Sequence, residues 1–467
     1  MQNVEARFAA LCEGSRTLAG ASGAERADRL RRMLSAVLNN KKRFYDAAHT
    51  ELKASDLDVA AQLVMLRSEV DHAAKHVGKW MKPRRVRNSA ATFGKRCYVL
   101  YEPKGVVLNL ATWNAPVCIG LVPAVAAIAA GNAFALKPSE LAPHSATVLR
   151  EVMEATLPQN EFAVFEGGPE VAQELLARPF NHIYYTGGQR VGRLVMKAAA
   201  ENFAAVTLEM GGKNPAIVDA SAAIDNAAKK IAWGRVANAG QICVAPDYVL
   251  AHESVFESCV AALVKAIDTM YNADGAGFEY SPELLRIVND QHFGRVVRLL
   301  QDARDKGAKV VCGGETRAQD RFVAPTVLTG VTEDMLVMQE EIFAPLLPVM
   351  PYRERSQAIE IIHRRTKPLS LYIYAKDRTA IDYFLAHTTA GSTVVNHNLI
   401  QSGTNPRLPF GGVNHSGIGR IGGEQGFMEF SNARSVVEQP LGLLDMTFNL
   451  PPYSKTYRKL IERALKM

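Results

Sequence analysis

Apolar residues recur along this chain with two different periods. Between residues 25 and 80 the period is helical: Leu30, Met33, Leu34 and Leu38 share one face, and Val59, Leu63, Leu66 and Val70 share another. Around Lys82–Tyr101 the pattern turns polar and alternating, which predicts an exposed hairpin. From Val106 onward, short apolar runs at 106–111, 133–137, 162–166, 182–186 and 204–208 read as strands, with helical stretches between them at 116–130, 143–156, 169–177 and 189–200. Short strands joined through helices imply right-handed crossovers and a parallel sheet.

The rhythm then restarts. Strand candidates follow at 215–218, 247–251, 309–312, 346–351, 369–375 and 393–396, with helices at 222–237, 253–268, 283–306, 355–364 and 378–387. The fold class expected is therefore α/β, with two doubly wound parallel-sheet domains in tandem and a joint near Glu209–Lys213. No flexible linker or internal repeat separates them, so a cleft between packed domains is the expected site.

Composition narrows the class. The 467 residues are 48% hydrophobic and 22% charged with a net charge of +7, an ordinary globular balance that excludes disorder. That spread-out excess favours anionic small molecules without arguing for nucleic acid. The uncharged stretch Gly105–Leu136 is long enough to span a bilayer, but Asn109, Asn114, Pro116, Pro123 and Asn132 break it, so a buried strand–loop–helix is expected. Six cysteines without CxxC spacing argue against a disulfide framework or a structural zinc site, and no secretory signal is evident at the start. A cytoplasmic protein is expected.

Candidate chemistry gathers where strands end. Cys243 lies in Asn238-Ala239-Gly240-Gln241-Ile242-Cys243-Val244-Ala245-Pro246, where the glycine and proline favour a loop. A buried apolar cysteine and a loop nucleophile stand there at even odds. Glu209 closes a strand before Gly211-Gly212, a place for a general base if burial raises its pKa, or for a plain turn acid. Thr186-Gly187-Gly188 opens a helix through Gly192 as an anion site would, but Arg193 and Leu194 break the P-loop pattern and no GxGxxG occurs. Lys137 and Glu140, in Lys137-Pro138-Ser139-Glu140, could grip ribose hydroxyls or form an ordinary turn. Asn114, in Trp113-Asn114-Ala115-Pro116, could donate to an oxyanion. His72 and His76 share a helix face, read as solvent-facing, and no metal set is evident.

Taken together these stretches resemble the aldehyde dehydrogenase superfamily over the full length. The carriers are Trp113-Asn114, Gly131-Asn132 with Lys137–Glu140, Thr186-Gly187, Leu208–Lys213, Gly240–Cys243, Glu341-Ile342-Phe343-Ala344-Pro345 and Leu408–Gly412, in that order. Val244–Tyr248 and Pro451-Pro452-Tyr453 resemble the class 3-like branch of fatty, aromatic and coniferyl aldehyde dehydrogenases. Departures are Ala115 for an aromatic, Gly188 for a polar residue, Ala344 for glycine, and Asn414-His415 for a small and polar pair.

The resemblance implies NAD(P)-dependent oxidation of an aldehyde to the acid, without metal. Cys243 would be the nucleophile, Glu209 the base that hydrolyses the thioester and Asn114 the oxyanion donor. Trp113, Lys137, Glu140, Gly187, Gly192, Glu341 and Phe343 would bind the cofactor, NAD with NADP tolerated. Ala115, Trp233 and Ile242 would line the route of an aromatic or longer aliphatic aldehyde, Trp233 and Ile242 being equally readable as core. The implied division is a Rossmann-like cofactor domain at 1–81 and 104–208 and a catalytic domain at 209–408. Bridging strands at 82–103 and 431–440, a return segment at 409–430 and a tail at 441–467 complete it. A homodimer is expected through the bridging sheet, and the basic tail in place of an apolar extension implies no membrane partner. Two rival functions stand beside this one: a relative that hands the acyl group to coenzyme A, and a non-catalytic binding protein on the same fold.

Overall fold

A computed structural model describes residues 3–401, 405–440 and 450–466. Four helices open the chain, at Val4–Ala19, Gly23–Asn39, Lys41–Leu52 and Asp56–Trp80. The first was not expected from the pattern. The second and fourth each start with a capping box, Ser22 with Glu25 and Ser55 with Asp58, which satisfies N–H groups that a helix start leaves free.

The first sheet has six strands in the order Gly417–Ile418, Ala205–Met210, His182–Gly187, Val106–Leu110, Ala133–Lys137 and Phe162–Val164. Five are parallel as expected, and Gly417–Ile418 pairs antiparallel with Ala205–Met210 at the edge. The uncharged stretch folds as a buried strand, the buried helix Pro116–Ala130 and a second buried strand. Crossover helices cover both faces, which is why these strands are apolar throughout rather than alternating.

The second sheet has seven strands: Lys309–Cys312, Thr326–Thr329, Leu346–Tyr352, Tyr248–His252, Pro215–Val218, Ser370–Tyr374 and Ser392–Val395. It is mixed rather than purely parallel, because Lys309–Cys312 runs antiparallel to Thr326–Thr329, a strand absent from the sequence reading. The helix expected from 283 begins at Asp290, and a buried run without regular structure, Leu284–Val288, precedes it. The third sheet joins Arg84–Arg85, Arg96–Pro103 and Ser431–Glu438 antiparallel, with the last strand on an exposed edge.

One apolar core runs through both large sheets, including Leu63, Leu121, Phe134, Ile217, Leu250 and Leu371. The chain crosses between sheets in four residues, 211–214, so Glu209 sits at the carboxyl edge of the first and Asn214 at the entry to the second. None of the described helices is long and apolar enough to cross a membrane. Residues 441–449 and 467 of the expected tail lie outside the described residues, and Lys455–Ala464 is a helix.

Candidate active site

Parallel pairing brings the first sheet's polar residues to one edge. Thr186 stands opposite Glu209 in the register of His182–Gly187 against Ala205–Met210. Glu209 is buried, its Oε1 has no partner among the described residues, and burial pushes its carboxyl well above the usual range, opposed by the charge of Arg420.

Cys243 lies on a turn after Ala237–Gly240. Burial raises its thiol, the charges of Glu209 and Glu341 raise it further, and the backbone N–H groups of Cys243 and Val244 pull it down. Cys243 therefore feels the charge of Glu209. Gly240 must be glycine here: its φ is 74° and a Cβ would lie 2.4 Å from the Ala344 carbonyl.

Asn114 precedes the helix Pro116–Ala130 and is buried. Its Nδ2 donates to the Gln241 carbonyl at 2.9 Å, and its own carbonyl accepts from Asn238 Nδ2 at 2.9 Å. The turn bearing Asn114 and the loop bearing Cys243 are thus stitched together. A second Nδ2 hydrogen leaves Asn114 capacity for a further acceptor.

The Cys243 loop is held almost carbonyl by carbonyl. Arg235 donates to Gly240 O at 2.7 Å and Pro246 O at 3.0 Å, Asn214 donates to Cys243 O at 2.8 Å and Ala245 O at 3.0 Å, and the Tyr372 hydroxyl donates to Val244 O. Asp247, 2% exposed, accepts from Arg235 at 3.0 Å, from Ile342 N–H at 3.1 Å and from Lys213. It joins the cysteine loop, the segment after Glu209 and the Glu341–Phe343 turn. Sequence reasoning missed Asn214, Arg235, Asn238 and Tyr372 as site residues. Asn214 follows the Leu208–Lys213 motif and Asn238 opens the quoted Asn238–Pro246 stretch, which was the available signal.

The residues assigned to a dinucleotide fit one. Gly187 ends its strand, Gly188 opens the helix Gln189–Glu201 with no side-chain cap, and nothing lies within 4 Å of a Cβ built at Gly188. This is an uncapped N-terminus facing open space, as an anion requires. Gly192 packs against Met210. Lys137 is buried and donates to Glu140 at 2.8 Å, while Glu140 itself is exposed. Glu341 lies against Gly211, where a Cβ would be 1.9 Å from Oε1, and its carboxyl is pushed up to about 8, first by burial and then by Asp247. Phe343 meets Trp113 edge-on with centroids 5.8 Å apart.

Ala115 and Ile242 are half-buried beside Asn114 and Cys243. Trp233 is not core: it is 40% exposed and sits edge-on to His397 at 6.4 Å. The solvent-facing reading of His72 and His76 is also corrected. Both are half-buried, their rings 4.3 Å apart and packed beside Trp80, because a neighbouring indole offers apolar surface to that helix face.

The aldehyde dehydrogenase family model matches residues 2–436. The chain belongs to the aldehyde dehydrogenase family. It is 37% identical over 434 residues to the 4,4'-diaponeurosporen-aldehyde dehydrogenase of Staphylococcus aureus, covering 93% of each chain. It is 39% identical to the dimeric NADP-preferring aldehyde dehydrogenase of Canis lupus familiaris, over 81% of this chain and 82% of that one. Among solved structures, the substrate-bound state of Staphylococcus aureus AldH superposes with a TM-score of 0.93 at 36% identity, covering 100% of both chains. The class 3-like resemblance and the α/β fold hold, and this aldehyde dehydrogenase oxidises aldehydes with NAD or NADP.

Proposed function

We propose that this enzyme oxidises bulky apolar aldehydes to acids, with Cys243, Glu209 and Asn114 carrying the chemistry. The thiolate of Cys243 adds to the carbonyl carbon, and the electron pair moves to oxygen. That oxyanion accepts from the Asn114 amide and the Cys243 N–H, and losing one such donor typically costs about 3–4 kcal/mol in the transition state. When bound, a nicotinamide would supply the acceptor for the hydride that leaves the adduct's carbon, so that Cys243 would carry a thioester. Glu209 then takes a proton from the attacking water, the C–S bond breaks and the acid departs.

The observation that carries this reading is the unpartnered Oε1 of a buried Glu209 within electrostatic reach of Cys243. An unpartnered buried carboxylate oxygen is costly to keep, and a base awaiting water explains it. The same base disfavours acyl transfer to coenzyme A. Reduced-cofactor production should be indifferent to added coenzyme A, and a clear stimulation would replace the hydrolytic reading.

Ala115 stands where the family pattern it resembles has an aromatic, between Asn114 and a buried helix. An alanine there leaves room for a bulkier apolar substrate, with Ile242 and the exposed Trp233 as further lining of the route. A substrate burying about 100 Å² more there gains about 2–3 kcal/mol. The 4,4'-diaponeurosporen-aldehyde in one relative's name supports a long apolar substrate. The kcat/KM for a benzaldehyde-type or medium-chain aldehyde should exceed that for acetaldehyde by at least about thirtyfold, and Ala115→Tyr should shrink the ratio for the bulkiest first. Equal acetaldehyde activity would sink the wide-route reading.

Glu140 holding the adenosine ribose hydroxyls, with Lys137 beside it, favours NAD while tolerating NADP. A homodimer through the exposed edge Ser431–Glu438 would cover a strand that otherwise invites aggregation, and one relative is named as dimeric. A cytoplasmic setting agrees with six free cysteines.

A further inference from the structure

Val244, Ala245 and Pro246 after Cys243 carry no polar side chain with which to fix their own backbone, and one buried side chain reaches the peptide that matters most. Asn214 is 1% exposed. Its two Nδ2 hydrogens are both committed, to Cys243 O at 2.8 Å and Ala245 O at 3.0 Å, while its Oδ1 accepts from Ser370 N–H at 2.9 Å. With three partners of fixed direction, the amide has one orientation.

The carbonyl of Cys243 and the N–H of Val244 belong to one planar trans peptide, so they point in opposite directions. Drawing the carbonyl toward Asn214 turns the Val244 N–H away from Asn214. That N–H is one of the two backbone N–H groups whose polarity favours the thiolate of Cys243. We infer that Asn214 is a positioning residue for the nucleophile: by holding the Cys243 carbonyl it fixes the orientation of the 243–244 peptide, and with it the Val244 N–H that favours the thiolate. This deepens the reading of Cys243 as nucleophile and rests on it.

The neighbouring peptide provides the control. Val244 O accepts from the Tyr372 hydroxyl, which Gln401 and Ser370 surround. Tyr372 therefore anchors the same loop without holding the 243–244 peptide. A merely structural loop anchor would behave like Asn214, whereas an aiming role separates the two.

The test is the pH dependence of iodoacetamide alkylation at Cys243, followed by peptide mass spectrometry on the full-length enzyme. Asn214→Ala should move the midpoint upward by about one pH unit, a roughly tenfold lower thiolate fraction below it. Tyr372→Phe should leave the midpoint within a few tenths of a unit. Asn214→Ser, which keeps one short donor, should fall between and serves where the alanine variant fails to fold. A profile superimposable on wild type in both Asn214 variants overturns the inference, as does an equal shift in Tyr372→Phe. Turnover retained by Cys243→Ala would instead bring down the nucleophile reading, leaving the alkylation result to stand as a fact about a non-catalytic thiol.

Discussion

Glu209→Gln isolates the base from everything else in the site. The substitution keeps the side chain's volume, and because Oε1 has no partner among the described residues, that oxygen gives up no protein hydrogen bond. Burial, opposed by Arg420, already disfavours the ionised form. A carboxyl raised in the folded state contributes stability that is complete below its unfolded value, near 4.5, and is lost as pH rises through the folded one. The variant should thus match or exceed wild type in Tm, and by more as pH rises. Catalysis should move the other way. Losing a positioned base typically slows the step it serves by about 10²–10⁴-fold, or about 3–5 kcal/mol. Since hydride transfer precedes that step, stopped-flow absorbance should show a burst of reduced cofactor near one equivalent per subunit, then slow turnover. Mass spectrometry should find the acyl group on Cys243. Wild-type deacylation should rise with pH as Glu209 ionises, and the variant should lack that rise. An unchanged steady state without acyl-enzyme would remove Glu209 as the base, while a slow rate without a burst would put its role before hydride transfer.

Cys243→Ala should abolish oxidation while leaving dinucleotide binding, and turnover above about one part in a thousand, a loss of only ~4 kcal/mol, would mean that another residue attacks. Glu140→Gln should raise the NADP to NAD ratio of kcat/KM, because the exposed carboxylate would repel a 2′-phosphate; a constant ratio would show that it does not face the ribose. Glu341, pushed up to about 8 mainly by burial, destabilises the fold progressively as pH rises from the usual carboxylate range through that value. Glu341→Gln should accordingly gain more Tm over wild type at pH 9 than at pH 5, which thermal melts in matched buffers would check. Light scattering at micromolar concentration should return the mass of a dimer, and a monomer would refute pairing through Ser431–Glu438.

The parts legible in the sequence share a property: their signal is local. Buried parallel strands are unbroken apolar runs, so Val106–Leu110 and Ala133–Lys137 stood out at once. Thr326–Thr329 did not, being four residues between Pro325 and Gly330 that make sense only beside Lys309–Cys312 and Leu346–Tyr352. Cys243, Glu209 and Asn114 could be named because a thiol, an acid and an amide in glycine- or proline-marked turns suggest chemistry by type. Arg235 could not. On a helix, an arginine reads as solvated charge, yet this one is 1% exposed and spends its donors on the Gly240 and Pro246 carbonyls and on Asp247. The reason lies in the loop itself. Gly240, Ala245 and Pro246 offer no polar side chain with which to order a backbone that must stay open to substrate. Order has to be imported from amides and guanidinium groups elsewhere, across 29 residues for Asn214 and 127 for Asn114. A nucleophile loop poor in polar side chains therefore implies buried Asn or Arg in neighbouring motifs, and those residues, silent in periodicity and composition, set where the loop backbone lies.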